Sequence, residues 1–231
     1  MGRPHMALVL PYWDMCRREG TSLQQGMNFR ISPDHSVLLT SVLPNAPYVD
    51  RFEDDGSTLI YEGHDERRMS GGPDPKVQDQ PGVFPGGNLT QNGKFYSAAR
   101  SFVAGERPAE RVQVYEKLRA GIWADNGTFH LVDAWQERSG ARTVFKFRLV
   151  AVHDDERRDL PGLPERRRLI PGAIKKEVWL RDRGQCVECG ATDELHFDHI
   201  IPYSRGGSSI VAANIQLLCA RHNLSKGARI A

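Results

Sequence analysis

Two short ligand-like pairs near the C-terminal end restrict this chain more than any other feature. Cys186-Val187-Glu188-Cys189 is a C-x2-C knuckle, and Cys219-Ala220-Arg221-His222 is a C-x2-H pair. Three thiols and an imidazole in two close pairs, joined by a long loop, can supply all four ligands of one tetrahedral zinc ion. A module this small has too little core to fold without such a staple. Cys16, the remaining cysteine, is remote and left without a partner. No basic flank, apolar core and small-residue cleavage site occur in series at the N-terminus. Thiol or metal chemistry in a reducing, cytoplasmic setting is therefore expected rather than a disulfide framework.

Length and charge add two limits. The chain has 231 residues, enough for one large domain or two modest ones. No apolar run reaches the roughly 18 residues of a membrane span, so no membrane partner is expected. The net charge of +2 is unevenly spread. Residues 156–231 carry 13 Lys/Arg against 9 Asp/Glu, a net of +4, and the remainder carries 18 against 20, a net of −2. A basic C-terminal module beside a polyanion is one reading of that asymmetry, and a solvated surface is the other.

The pattern before residue 153 is mainly β. Ser36 to Leu43 reads as a buried strand, Leu59 to Tyr61 as a second, and Arg111 to Tyr115 and Thr128 to Trp135 alternate. From Thr143 to Val152, Phe145, Phe147, Leu149 and Ala151 share one face, with Lys146 and Arg148 on the other. Residues 63–92, rich in Gly, Pro, Asp and Gln, read as long loops. The charged, proline-containing stretch after His153 has no periodicity and reads as a linker. Pro171 is placed to open a helix through about Arg183, with Ile174, Val178 and Trp179 on one face. The expected organisation is thus a domain over 7–153, a linker over 154–170 and a second domain over 171–231, separable from the first.

Asp198-His199-Ile200, Pro202, Gly206-Gly207, Asn214, Leu218-Cys219, His222-Asn223 and Lys226-Gly227 together resemble the HNH, or ββα-metal, nuclease family with an added zinc knuckle. The resemblance covers about 172–229. It implies a small ββα domain in which His199 is the general base and Asn214 accepts a hydrogen bond from its ring. It further implies that Asp198 and Asn223 hold a catalytic Mg2+ or other divalent ion, while Cys186, Cys189, Cys219 and His222 hold a structural Zn2+. The residue types suit phosphodiester hydrolysis: imidazole titrates near neutral pH, and oxygen ligands suit a hard cation.

Tyr61-Glu62-Gly63-His64, Asp79-Gln80, Gly87-Asn88, Asn126-Gly127, Leu131 to Glu137 and Val144 to Leu149 resemble, in order and spacing, the SRA (YDG) domain over about 20–153. Glu62 stands where that family usually has Thr. The resemblance implies a curved β-barrel that flips 5-methylcytosine, or a related modified cytosine, out of double-stranded DNA. Tyr48 and Tyr61 are the implied stacking residues. Asp50, with Asp54 as an alternative, is the implied reader of the cytosine amine.

Fold class α+β, with an SRA-like barrel before an HNH module, leads to one expected function: a modification-dependent DNA endonuclease. Two alternatives stay open, a nicking or repair nuclease without a modified-base requirement and a non-catalytic zinc-containing DNA reader. One HNH site cuts one strand, so double-strand cleavage implies a homodimer.

Overall fold

The computed structural model of the chain describes residues 7–53, 56–68, 70–152 and 169–230. Asp54 and most of the expected linker lie outside the described residues. The class is α+β, as the sequence implies. Strand β1 (Val9–Pro11) leads into helix α1 (Tyr12–Glu19), and β2 (Met27–Ser32) and β3 (His35–Thr40) form a hairpin. Then come β4 (Arg51–Glu53), β5 (Thr58–Glu62) and α2 (Gln91–Val103). Three long strands follow: β6 (Glu110–Arg119), β7 (Ile122–Ser139) and β8 (Arg142–Ala151).

These strands form one sheet in the order β2-β3-β6-β7-β8-β5-β4, with β1 pairing to the start of β7. All pairings are antiparallel except that of β3 with β6. The strand readings hold, and β7 runs beyond the Thr128 to Trp135 pattern at both ends, with a register shift between Leu131 and Asp133 in its pairing with β8.

The expected barrel is not closed: the sheet ends on β2 at one edge and β4 at the other. Helix α2 closes the core instead. Its Phe95 and Ala99 pack with Leu38, Leu59, Val112, Leu131 and Phe147. Thr90 caps α2 by accepting a hydrogen bond from the Gly93 amide at 3.1 Å. A second cluster lies under α1, where Met15 and Cys16 meet Val37 and Tyr115. Val37 and Leu38 thus serve opposite faces of β3, as strand geometry requires.

The C-terminal part consists of α3 (Gly172–Arg181), β9 (Leu195–His199), β10 (Ile215–Cys219) and α4 (Ala220–Lys226). Strands β9 and β10 form a two-stranded antiparallel ribbon. It is not a bead on a tether. One apolar cluster holds Val9, Leu118 and Ala124 of the large sheet together with Ile170, Val178, Leu195, Phe197 and Leu217. The Phe197 amide donates to the Ala7 carbonyl at 3.1 Å, and Leu8 bridges His196. Leu169 and Ile170, assigned to the linker by composition, are packed residues. The separability expected from composition meets this shared core, which a cut between the two parts would expose to water. Among the described residues no helix is long and apolar enough to cross a membrane.

Candidate active site and reader cavity

The ribbon and α4 bring the C-terminal ligand set together. Cys219 ends β10 and His222 lies in the first turn of α4. The knuckle is held beside them by the Val187 amide on the Leu217 carbonyl, 3.0 Å, and the Gly190 amide on the Cys186 carbonyl, 2.8 Å. Ligand atoms of Cys186, Cys189, Cys219 and His222 all lie within 4.8 Å of one another. Cys186 Sγ is 3.3 Å and Cys219 Sγ 3.5 Å from His222 Nδ1, and Cys189 Sγ is 3.9 Å from Cys219 Sγ. That last separation is far too long for a disulfide, and the group could hold one metal ion. Burial pushes the Cys186 thiol up, but hydrogen bonds from the Cys219 backbone and the His222 ring outweigh it and bring it down to about 6.

Asp198 and His199 close β9 opposite Gln216 and Ile215. Asp198 is buried, and its Oδ2 receives Lys226 Nζ at 2.9 Å and Gln216 Nε2 at 3.4 Å. Lys226 also donates to the His199 carbonyl at 2.6 Å, so α4 is pinned to the end of β9 through one ammonium. Asn223, on α4, is buried, and its Oδ1 has no hydrogen-bond partner among the described residues. A buried amide oxygen left so is costly unless something binds it.

His199 Nε2 lies 2.9 Å from Ser209 Oγ. The expected bond from the His199 ring to Asn214 is not made. Asn214 Oδ1 accepts from the Ile201 amide at 2.8 Å, and its Nδ2 donates to the carbonyls of Ile201 and Ser208 at 3.2 and 3.0 Å. Its backbone carbonyl receives the Ile200 amide at 2.7 Å. Asn214 therefore shapes the loop that presents Ser209 and does not itself orient the ring. Gly207 sits in the same loop, where any Cβ would overlap the Ile201 carbonyl oxygen. The roles of Ser209 and Lys226 were not legible in the sequence, although Lys226-Gly227 belongs to the motif.

The large sheet carries a second candidate. A cavity of about 760 Å³ is lined by Gly26, Leu39, Tyr48, Asp50 and His64 among others. Tyr48 and Asp50 thus line one cavity. Tyr61 is not among the lining residues: it is 1% exposed, with its hydroxyl 3.3 Å from the Leu39 carbonyl oxygen and 2.8 Å from His64 Nε2. The aromatic ring that reaches the cavity from this segment is His64, stacked on Tyr48 with 4.5 Å between ring centres. Asn92 clamps the His64 backbone from both sides, at 2.8 Å each. Burial lowers the His64 pKa to about 4.

Asp50 Oδ2 accepts from Thr40 Oγ1 at 2.8 Å and its Oδ1 from the Glu62 amide at 2.9 Å. Burial raises its pKa to about 6 despite those bonds. Glu62, the departure from the usual Thr, holds this segment. Its Oε2 accepts the Val49 amide at 3.3 Å and Lys146 Nζ at 2.9 Å, and its Oε1 accepts Arg142 Nη2 at 3.1 Å. Lys146 also donates to the Val49 carbonyl at 3.3 Å, so the peptide between Tyr48 and Asp50 is gripped on both sides.

Residues 186–229, which hold the ribbon, the Cys/His group and α4, match the family model described as HNH endonuclease. The chain is similar to the SRA domain of SUVH5 in a complex with fully methylated CG DNA, at 19% identity and a TM-score of 0.43, over 70% of this chain and 94% of that one. It also resembles the modification-dependent TagI restriction endonuclease, at 17% identity and a TM-score of 0.39, over 96% of this chain and 77% of that one. KRYPTONITE in complex with mCHG DNA is similar at 14% identity and a TM-score of 0.41, over 69% of this chain and 33% of that one. No sequence match to a curated protein was found.

Proposed function

We propose that this protein is a modification-dependent DNA endonuclease that holds a flipped modified cytosine in the Tyr48–Asp50 cavity and hydrolyses phosphodiester bonds at His199. The observation that carries the reading is the co-occurrence in one chain of an HNH module over 186–229 and a cavity walled by an aromatic ring and a carboxylate. An extruded base needs a stacking surface and an acceptor for its exocyclic amine. Tyr48 supplies the first and ionised Asp50 the second.

At the other end, His199 takes the proton of the attacking water. Ser209 Oγ, 2.9 Å from Nε2, helps hold the ring in place for that step. Asp198 and Asn223 would hold a divalent ion through oxygen, and the Asn223 Oδ1, without a partner among the described residues, fits that role. The chemistry such an ion would supply there is stabilisation of charge on the departing 3′ oxygen. Zinc fits the Cys/His group: bonds of about 2.3 Å to sulfur and 2.0–2.1 Å to nitrogen put tetrahedral ligands roughly 3.5–3.8 Å apart, near the 3.3, 3.5 and 3.9 Å observed. Double-strand cleavage takes two such sites, hence two chains.

The deciding experiment incubates the protein and Mg2+ or Mn2+ with plasmids identical except for cytosine methylation or hydroxymethylation. Cleavage confined to a modified plasmid is expected. Equal cleavage of all plasmids would leave a nuclease without a modified-base requirement.

A further inference from the structure

The two parts of the molecule meet through more than apolar packing. Lys175, on α3, is completely buried. Its Nζ lies 3.1 Å from Glu116 Oε2, on β6, and also bonds Asn126 Oδ1, on β7. Asn126 Nδ2 donates to the same Glu116 oxygen at 3.0 Å. A cation on the nuclease helix is thus neutralised by a carboxylate and hydrogen-bonded to an amide on the reader sheet, out of contact with water. Gly172, which opens α3, lies so close to Glu116 Oε1 that a Cβ there would overlap it. Around this triad lies the shared core of Val9, Leu118 and Ala124 with Ile170, Val178 and Phe197. Beyond it, the backbone contacts of Ala7 and Leu8 with Phe197 and His196 tie β1 to the nuclease ribbon.

A buried charged pair tolerates little sliding. Moving α3 by even a fraction of a turn would separate Lys175 from Glu116 and leave both charges in a low-dielectric interior. Apolar packing alone resists separation but sets direction weakly. The triad adds direction, because each of its polar atoms needs one partner at one distance.

We infer that Lys175, with Glu116 and Asn126, is a positioning element that fixes the cutting centre relative to the reader cavity, so that the cut falls at a set distance from the modified base. The inference rests on the proposed function for the cut itself, but the coupling of the two parts does not. Fixed docking, not tether length, then determines where the phosphodiester bond breaks.

The test uses the full-length protein in two measurements. The first is calorimetric unfolding. A single cooperative transition is expected for the wild-type chain and for a variant with six Gly-Ser residues inserted between Asp159 and Leu160. Two independent transitions in the wild-type chain would overturn the inference. The second maps cleavage ends on DNA bearing one modified cytosine. The wild-type protein is expected to cut within one or two adjacent phosphodiester bonds per strand, and the insertion is expected to leave that window unchanged. Lys175→Ala is expected to widen the window severalfold while the preference for modified DNA persists, which a merely stabilising residue would not do. A window that shifts or widens with the insertion would overturn the inference. If Lys175→Ala does not fold, the insertion variant decides alone. Absence of any cleavage by wild-type protein, alongside a single transition, would refute the proposed function and uphold the coupling.

Discussion

The imidazole of His64 lies parallel to the phenol ring of Tyr48, with centres 4.5 Å apart and planes 9° apart. This is the geometry in which a flipped base would stack on Tyr48, and the imidazole occupies that ring's face. Lys76 Nζ also lies against Tyr48, 4.0 Å from the ring centre. Tyr48→Ala is expected to weaken binding to DNA with a modified cytosine by about 1–3 kcal/mol, with little change for unmodified DNA, whose binding arises from phosphate contacts. His64→Ala is expected to do the opposite and tighten binding to modified DNA, because a ring that must move aside is gone. Competition binding, with 2-aminopurine fluorescence next to the modified base, measures both. Weaker binding by His64→Ala would make the imidazole a direct base contact.

Asp50 gives the cavity a pH dependence. Burial lifts its carboxyl to about 6, so the ionised acceptor dominates above that value and is lost as pH falls through it. His64, lowered to about 4, stays neutral across the same interval. Preference for modified DNA is therefore expected to be full near pH 8 and to fall with a midpoint near 6. Asp50→Asn, which cannot ionise, should be weak at every pH. For folding alone, a carboxyl raised in the native state favours the folded chain below its ordinary 3.8, and that contribution is gone above about 6. A binding profile flat from pH 5 to 8 would remove Asp50 from the recognition step.

At the cutting centre, His199→Ala is expected to lower single-turnover cleavage by about 10²–10⁴ and leave DNA binding intact, the usual effect of losing a general base. Ser209→Ala removes one hydrogen bond to the ring and is expected to cost about 0.5–1.5 kcal/mol, at most roughly tenfold in rate. Asn214→Ala, which frees the loop between Ile201 and Ser208, should act through that same step and add little to Ser209→Ala in the double variant. Additive losses would show that Asn214 acts elsewhere.

One zinc per chain is expected by elemental analysis of protein purified without added metal. Cys186→Ser should lose it together with cleavage. Because the nuclease ribbon shares its core with the large sheet, the same substitution should also lower the melting temperature of the whole chain. Cys16→Ser should leave the metal content unchanged, since its sulfur only accepts the Leu23 amide at 3.5 Å. A folded nuclease module without metal would refute the assignment.

Local patterns determined much of this protein. The alternation in 143–152 announced β8, and Pro171 announced α3. The pairing of Cys186-Cys189 with Cys219-His222 announced a group that could hold a metal ion, because each pair keeps its two ligands within one short turn of chain. Helix α2 was not announced: its Gly93 and Asn92 blur the helical period, and its place depends on the sheet residues against which Phe95 packs. Tertiary structure alone put His64 rather than Tyr61 into the cavity, Ser209 rather than Asn214 on the His199 ring, and Lys175 against Glu116. The partners are far apart in sequence: Lys146 is 84 residues from Glu62, and Lys175 is 59 from Glu116. Periodicity reports which face of an element is apolar, over a few turns or one strand. It carries no information on which distant polar atom a buried charge meets, and that pairing is settled only when desolvation forces each charge to find one.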